Sequence, residues 1–395
     1  MDLRLTSQQE KLRQEFSEFF SQVMKEAPPY CEPGLWAWYT DEVYPFHRKV
    51  AKMLGERGWL SLPWPKAYGG QEHTQIEQML FNEARGYWGA PGVDNFGVGM
   101  IAPTLLEYGT EEQKREFLPP IAKGEVMWCQ GWSEPNVGSD LASLTTSAVE
   151  DGDDYIINGR KIWNSGAHRV EWMFMVARTD PNLPRHRGIS YFLVNMKSPG
   201  VTVRGLRDMG GFHMFNEVTF DRVRVPKGNM LGEKNRGWYV TLATMNFERS
   251  GVWKFAEIRH AIEELVHYCR ETRYSGGTLA DDPRVRHQLA QLLMETEAGR
   301  SLAYRIAWLQ WKGQLAAAEA SASKVYGTEL AQRVAYAGCS VMGMYGQLKR
   351  GSKYAPLLGK FERLYQSCLG YNIAAGTSEI QRNIIAIRGL NLPRL

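Results

Sequence analysis

Two stretches of this 395-residue sequence are hard to explain by packing alone. One is Gln130-Gly131-Trp132-Ser133-Glu134-Pro135-Asn136-Val137-Gly138-Ser139-Asp140, followed by Ile162-Trp163-Asn164-Ser165-Gly166. The other is Ala375-Gly376-Thr377-Ser378-Glu379-Ile380-Gln381-Arg382-Asn383. Taken singly, Ser133 and Ser165 read as ordinary turn hydroxyls and Trp163 as a half-buried strand residue. Between them, Met245-Asn246-Phe247-Glu248-Arg249 sets a carboxylate beside apolar neighbours. In an apolar cleft, desolvation raises a glutamate above its ordinary value of about 4.3 and makes it a better general base. On an open helix face the same glutamate is a solvated partner for a nearby basic side chain.

Other chemistries lack their signatures. Gly97-Val98-Gly99-Met100-Ile101-Ala102 matches a loose dinucleotide pattern, but no strand precedes it and no βαβ unit surrounds it. The eight histidines include no H-E-x-x-H and no cysteines at metal spacing. No G-x-S-x-G elbow and no G-x-x-x-x-G-K-[ST] loop occurs. Five scattered cysteines without a C-x-x-C pair suit reduced thiols. A net charge of +4 permits a polyanionic small ligand and gives no reason to invoke nucleic acid. No apolar run approaches the roughly 20 residues of a membrane span, and the N-terminus lacks an unbroken apolar h-region. A cytoplasmic protein is the expectation.

The elements that must position these residues fall into three regions: an N-terminal helical domain over 1–125, a central β domain over 126–233 and a C-terminal helical bundle over 234–395. In the first, Thr6 with Gln9 and Thr110 with Gln113 form candidate capping boxes, and Leu12, Phe16, Phe19, Phe20 and Val23 trace one helix face. Pro119-Pro120 is expected to stop the second helix, and Pro63, Pro65 and Gly69-Gly70 mark a loop. In the second region, Tyr155-Ile156-Ile157 leads into Asn158-Gly159, a hairpin signal, and Lys161-Ile162-Trp163 leaves it. Further strands are expected over 172–178, 189–196, 201–206 and 216–225, which suggests a compact antiparallel barrel or sandwich. In the third, Phe255, Ile258, Ile262, Leu265, Val266 and Cys269 recur at helical spacing. Segments 283–312, 315–345 and 354–371 look similar, giving a four- or five-helix bundle.

The quoted stretches resemble the acyl-CoA dehydrogenase family, whose marks are an [ST]-E-P-x-x-G-S-D segment, a W-x-[ST] segment and a terminal G-T-x-x-I-Q-R. The resemblance covers nearly the whole chain and implies a mainly α fold: N-terminal helical domain, central antiparallel β-barrel-like domain and C-terminal four-helix bundle. It also implies bound FAD. A flavin oxidant needs hydrogen bonds to N1, O2 and N5, because reduction places negative charge on the N1–O2 edge. By resemblance, Ser133 and the backbone of Gln130–Trp132 meet that edge, Ser165 meets the N5 side and Trp163 packs against the ring. Thr377 and Glu379 match positions that touch the AMP half, and His287-Gln288 a pair that reaches a neighbouring subunit's cofactor. Ser139 matches a phosphopantetheine contact, and Asn246 and Arg249 match positions lining the acyl-CoA channel; Arg249 is equally a surface cation. The family's R-x-x-F-G segment is replaced here by Arg273-Tyr274-Ser275-Gly276-Gly277.

The implied reaction is α,β-dehydrogenation of an acyl-CoA thioester to the 2-enoyl-CoA, with the α proton leaving to a base and the β hydride to flavin N5. Many members place the base immediately before the terminal G-T, where this sequence has Ala375. A subset carries it on the long helix directly before an arginine, which points to Glu248. The backbone N–H of Ala375 remains a donor to the thioester carbonyl whatever its side chain. Resemblance further implies electron-transfer flavoprotein as acceptor and a homotetramer or heterotetramer. The alternatives are an acyl-CoA oxidase and a flavin-binding subunit of a heteromeric dehydrogenase. The 13 tryptophans, among them Trp36, Trp38, Trp88, Trp132 and Trp253, belong to the core or shape a substrate pocket. The motif variants lean towards cyclic, aromatic-derived or dicarboxylic acyl groups.

Overall fold

The computed structural model describes residues 4–29, 31, 40–247, 251–314 and 316–393; the side chains of 246 and 247 are not among them. Glu248, Arg249, Trp36 and Trp38 therefore lie outside the described residues, as does the side chain of Asn246. In chain order the elements are α1 (Ser7–Met24), α2 (Tyr44–Glu56), α3 (Gln75–Trp88), α4 (Ala102–Tyr108) and α5 (Glu111–Ala122). There follow β1 (Trp128–Gly131), β2 (Ser147–Asp151), β3 (Asp154–Ile162), β4 (Trp172–Arg178), β5 (Ile189–Asn195), β6 (Val201–Arg207), β7 (His213–Pro226) and β8 (Met230–Leu231). After α6 (Gly237–Phe247) and α7 (Val252–Glu271), a hairpin of β9 (Arg273–Tyr274) and β10 (Gly277–Thr278) precedes α8 (Pro283–Trp311), α9 (Ala317–Val341), α10 (Lys360–Tyr371) and α11 (Ser378–Ile384). Both capping boxes form, with Thr6 and Thr110 each accepting from the backbone three residues on.

The chain folds into two compact units, neither contiguous in sequence. Unit 1 takes in residues 1–36, 74–90 and 250–395, so α1 and α3 join the C-terminal helices. Ring-into-notch packing sets its helix spacing. A Cβ on Gly86 of α3 would lie 2.4 Å from the Trp253 carbonyl oxygen of α7, so that helix pair meets backbone to backbone. Phe255 of α7 fills the space beside Gly299 of α8 and Gly327 of α9, where added methyl groups would stand 2.1 and 3.1 Å from its ring. Phe361 of α10 occupies the equivalent notch at Gly338 of α9.

Unit 2 comprises residues 37–73 and 91–249 and carries the sheet, in the order β6-β7-β3-β2-β4-β5-β8 with β1 added beside β4. The expected β domain is present, but its sheet stays open, and β1 and β2 run parallel to β4. Asn158-Gly159 makes no hairpin. β3 runs straight through it as a β-bulge against β7, with Gly159 at φ 147° and the Asn158 carboxamide oxygen accepting from the Arg222 N–H at 2.8 Å. The true turn lies earlier, between β2 and β3, where Asp151 pairs with Asp154. Pro119 and Pro120 sit inside the last turn of α5 rather than ending it at once. Their fixed φ suits a helix, and the chain leaves only when Lys123 and Glu125 donate back to the two proline carbonyls. The core of this unit centres on Trp128, Phe174, Tyr191 and Leu193, with Phe117 of α5 edge-on to the stacked Trp128–Trp172 pair.

Candidate active site

In unit 2 the suspect residues gather where β1 ends and β3 ends, because the chain ties these two ends together. The Ile162 N–H donates to the Ser133 carbonyl at 2.9 Å, and the Asn164 carboxamide donates to the Gln130 carbonyl at 2.7 Å. Gln130, Trp132, Ser133, Trp163 and Ser165 thus lie together at the linked C-terminal ends of β1 and β3. Trp163 takes a left-handed backbone, φ 62°, which turns its side chain away from the strand's pleat. Its ring stands edge-on to Phe215 at 5.8 Å and is 59% exposed, an open aromatic face. Ser165 is buried, Ser133 half-buried and Ser139 exposed on the loop beyond.

Beneath these strand ends lies a buried ion pair: Glu134 stands in the S-E-P motif, but nothing in the motif pointed to Lys161 as its partner. Lys161 Nζ is 2.9 Å from Glu134 and donates to the Trp132 carbonyl at 3.1 Å; the two side chains are 0% and 5% exposed. Glu134 also accepts from the Thr145 N–H and hydroxyl, both at 2.7 Å, and from the Thr146 N–H at 2.9 Å. Burial opposes its ionisation, but the Lys161 charge and the threonine donors outweigh burial and hold its pKa down to about 2. Burial eases Lys161 down to about 8 while Glu134 pulls it up, so both are charged at neutral pH. The 132–137 turn is closed by paired Glu134–Val137 backbone bonds and is anchored from below by charge.

A second network holds Asn164. Asn216 donates to the Asn164 carbonyl at 2.9 Å, and the Asn164 N–H donates to the Asn216 carbonyl at 3.0 Å. His213 and His168 stack at 4.0 Å, and both ring nitrogens meet the Asn216 carboxamide, at 2.9 and 3.2 Å. At the start of β1 the Trp128 N–H donates to Asp94 at 2.7 Å. Burial pushes the Asp94 carboxyl up to about 7 against that hydrogen bond and those from Gly97 and Phe96.

Unit 1 carries the second stretch. Thr377 caps α11, its hydroxyl accepting from the Ile380 N–H at 3.2 Å. Ala375 and Gly376 are successive left-handed residues at φ 53° and 82°. The Gln381 carboxamide donates to the Ala375 carbonyl at 2.8 Å, and Lys324 Nζ donates to the Gly376 carbonyl at 2.7 Å. Among the described residues, none accepts a hydrogen bond from the Ala375 N–H. Glu379 is exposed on the first turn of α11. His287 and Gln288 lie on the second turn of α8, apart from that loop, His287 exposed and Gln288 half-buried. Arg273–Gly277, in place of R-x-x-F-G, is a two-residue hairpin with Ser275 and Gly276 both at positive φ, the type I′ pattern. Among the tryptophans, Trp132 is buried and Trp88 and Trp253 half-buried.

Three family models match in succession: acyl-CoA dehydrogenase N-terminal domain over residues 6–125, middle domain over 129–223 and C-terminal domain over 235–390. This chain belongs to the acyl-CoA dehydrogenase family. It is an oxidoreductase of that class and has the family's fold, with helical N- and C-terminal domains about a central β domain. The acyl-CoA dehydrogenase FadE26 of Mycobacterium tuberculosis is 36% identical over 402 residues, covering 100% of this chain and 99% of that protein. Among solved structures, the Tcur3481-Tcur3483 steroid ACAD superposes with a TM-score of 0.89 at 33% identity, covering all of both chains. The ChsE4-ChsE5 complex from Mycobacterium tuberculosis gives 0.89 at 36% identity, again covering all of both chains. Among the described residues, no group of three or more His, Cys, Asp or Glu stands ready to hold a metal ion, and no helix is long and apolar enough to cross a membrane.

Proposed function

We propose that this acyl-CoA dehydrogenase works through bound FAD and uses Glu248 as the base that removes the α proton of the thioester. The observation that carries the cofactor assignment lies at the linked ends of β1 and β3. The Asn164 carboxamide oxygen, next in sequence to the open face of Trp163, and the Trp132 indole N–H are buried without hydrogen-bond partners. Buried polar atoms want partners, and a flat ring with polar edges suits both them and the tryptophan face. Within unit 2, Gln130, Trp132 and Ser133 hold the N1–O2 edge, Ser165 the N5 side and Trp163 the ring face. Within unit 1, Thr377 and Glu379 hold the AMP half, with the buried, unpartnered Ser378 hydroxyl beside them, and His287 and Gln288 reach a neighbouring subunit's cofactor. Bound FAD would supply the acceptor for the β hydride.

Ser139, Asn246 and Arg249 bind the acyl-CoA. The Ala375 N–H donates to the thioester carbonyl and stabilises the charge that grows on its oxygen as the α proton departs. Glu248, which has the apolar Met245 and Phe247 as sequence neighbours, takes that proton. The relative titled a steroid ACAD favours a bulky, ring-bearing acyl group, in line with the motif variants. Electron-transfer flavoprotein is the proposed acceptor of the electrons.

A heteromeric assembly is the second reading, favoured because both structural relatives described above are named for two components. The exposed Met294, Tyr336, Met344 and Tyr354 of unit 1 offer apolar surface for either a like or an unlike subunit. Glu248→Gln tests the mechanism: the protein stays yellow, but a ring-bearing acyl-CoA no longer bleaches it. Normal bleaching in that variant removes Glu248 from the reaction. A panel of acyl-CoA thioesters with an artificial electron acceptor, run with the chain alone and with a co-purified partner, tests substrate and assembly. Reoxidation in air within seconds would mark an oxidase.

A further inference from the structure

Lys324 stands in the first half of α9, and its half-buried stem crosses to the end of α10. Its ammonium is spent on main-chain carbonyls rather than on a carboxylate: Gly376 at 2.7 Å and Asn372 at 3.4 Å. Nearby Glu329 is engaged by Arg382 at 2.7 Å, and Glu379 is exposed on α11. The loop thus held, 372–377, contains two consecutive left-handed residues, one of them alanine. Left-handed backbone costs an L-residue about 1–2 kcal/mol, so it persists only where its surroundings enforce it. Here the enforcing contacts are Lys324 on the Gly376 carbonyl, Gln381 on the Ala375 carbonyl, and the Ser378 N–H on the Asn372 carbonyl at 2.9 Å. Together they leave the Ala375 N–H pointing at no group of the described residues.

We propose that Lys324 is a positioning residue for the dehydrogenation, clamping the 372–377 loop so that the Ala375 N–H is fixed in the direction the thioester carbonyl requires. The proposal rests on the reading of Ala375 as the carbonyl donor. Lys324 touches no substrate; it acts through the backbone. The charged groups facing it are Lys254 from α7, Glu329 on its own helix and Glu379 from α11. Burial and then the Lys254 charge push the Lys324 amine down to about 8 against the pull of the two glutamates, so the clamp weakens as pH rises through that value.

The test compares Lys324→Met, Lys324→Gln and Lys324→Arg in the flavin-loaded enzyme, with its partner subunit if one co-purifies. Lys324→Met should keep its flavin and its KM and lose about tenfold to a hundredfold in kcat, the scale set by misplacing a reacting group by about an ångström. Exchange of the α proton into D2O, in an acyl-CoA with no β hydrogen, should fall in parallel. The hydrogen-bonded backbone amides of Ile373, Ala374 and Ser378 should exchange faster than in the parent while those inside α10 and beyond the first turn of α11 hold, a readout that needs no turnover. Lys324→Gln, which keeps a donor, should recover part of the rate. The wild-type fall in kcat above about pH 8 should flatten in Lys324→Met. An active parent whose Lys324→Met and Lys324→Gln variants match it within twofold in kcat and in amide exchange overturns the proposal. If instead the parent turns over no acyl-CoA and exchanges no α proton, the Ala375 reading fails and takes the clamp's catalytic role with it.

Discussion

Replacing Lys161 by methionine would leave the Glu134 carboxylate buried with its threonine donors and without its paired counter-charge. Breaking a buried pair by removing one partner costs about 3–5 kcal/mol. The acid side gives an independent scale. Glu134 is lowered from 4.5 to about 2, which corresponds to roughly 3 kcal/mol favouring the ionised form in the folded chain. Because the folded-state value is depressed, that stability is present above about 4.5 and is lost as pH falls through about 2. Without Lys161 the Glu134 value rises, so the variant's deficit should be largest at pH 7 and shrink towards pH 5. The assay is urea unfolding, followed by near-ultraviolet circular dichroism, of wild type, Lys161→Met, Glu134→Gln and the double variant. Lys161→Met should lose about 3–5 kcal/mol at pH 7. The double variant should lose at least about 2 kcal/mol less than the two single losses added together. A single-variant loss below about 1 kcal/mol, or strictly additive losses, would refute the view that this pair anchors the 132–137 turn.

Trp163→Gly keeps the left-handed backbone at that position and deletes only the ring. Flavin content after dialysis should drop sharply, with the unfolding midpoint nearly unchanged. Gly86→Ala forces a methyl against the Trp253 backbone, so α3 and α7 must separate; a loss of about 1–3 kcal/mol by denaturant titration is expected. Ala375→Gly relieves the positive φ, so stability should be unchanged or rise by up to about 1 kcal/mol, whereas Ala375→Val should lower both stability and kcat.

Much of the architecture was legible because it is written in local periods. The strands over 172–178 and 189–195 match their expected spans almost residue for residue, and both capping boxes formed, since the Thr and Gln involved lie three apart. Asn158-Gly159 misled for the opposite reason. The pair is locally indistinguishable from a turn, and only β7, more than fifty residues on, supplies the partner that makes it a bulge. The motifs named the residues at these strand ends, Glu134 among them, but not the partners that hold them. Lys161 and Glu134 are 27 residues apart, Asn164 and Asn216 are 52 apart, and Lys324 lies 52 residues before Gly376. No short window contains such pairs, and each side chain alone looks like a surface residue until the fold buries it. The ring-into-notch contacts of Phe255 and Phe361 were hidden likewise, since a glycine inside a helical pattern reads first as a weakness.

The discontinuity of unit 1 bears on how the chain is made. Helices α1 and α3 leave the ribosome early, yet the partner that neutralises Glu83 of α3 is Arg300, 217 residues downstream. At about 5–20 residues per second, the apolar faces of these two helices wait for roughly ten seconds or more before α7 and α8 arrive. During that interval unit 2 can mature on its own core while α1 and α3 can cover each other only in part. A nascent chain arrested shortly after residue 249 should therefore display a protease-resistant sheet and a sticky helical pair, and should be a natural client for chaperones that shield hydrophobic helices.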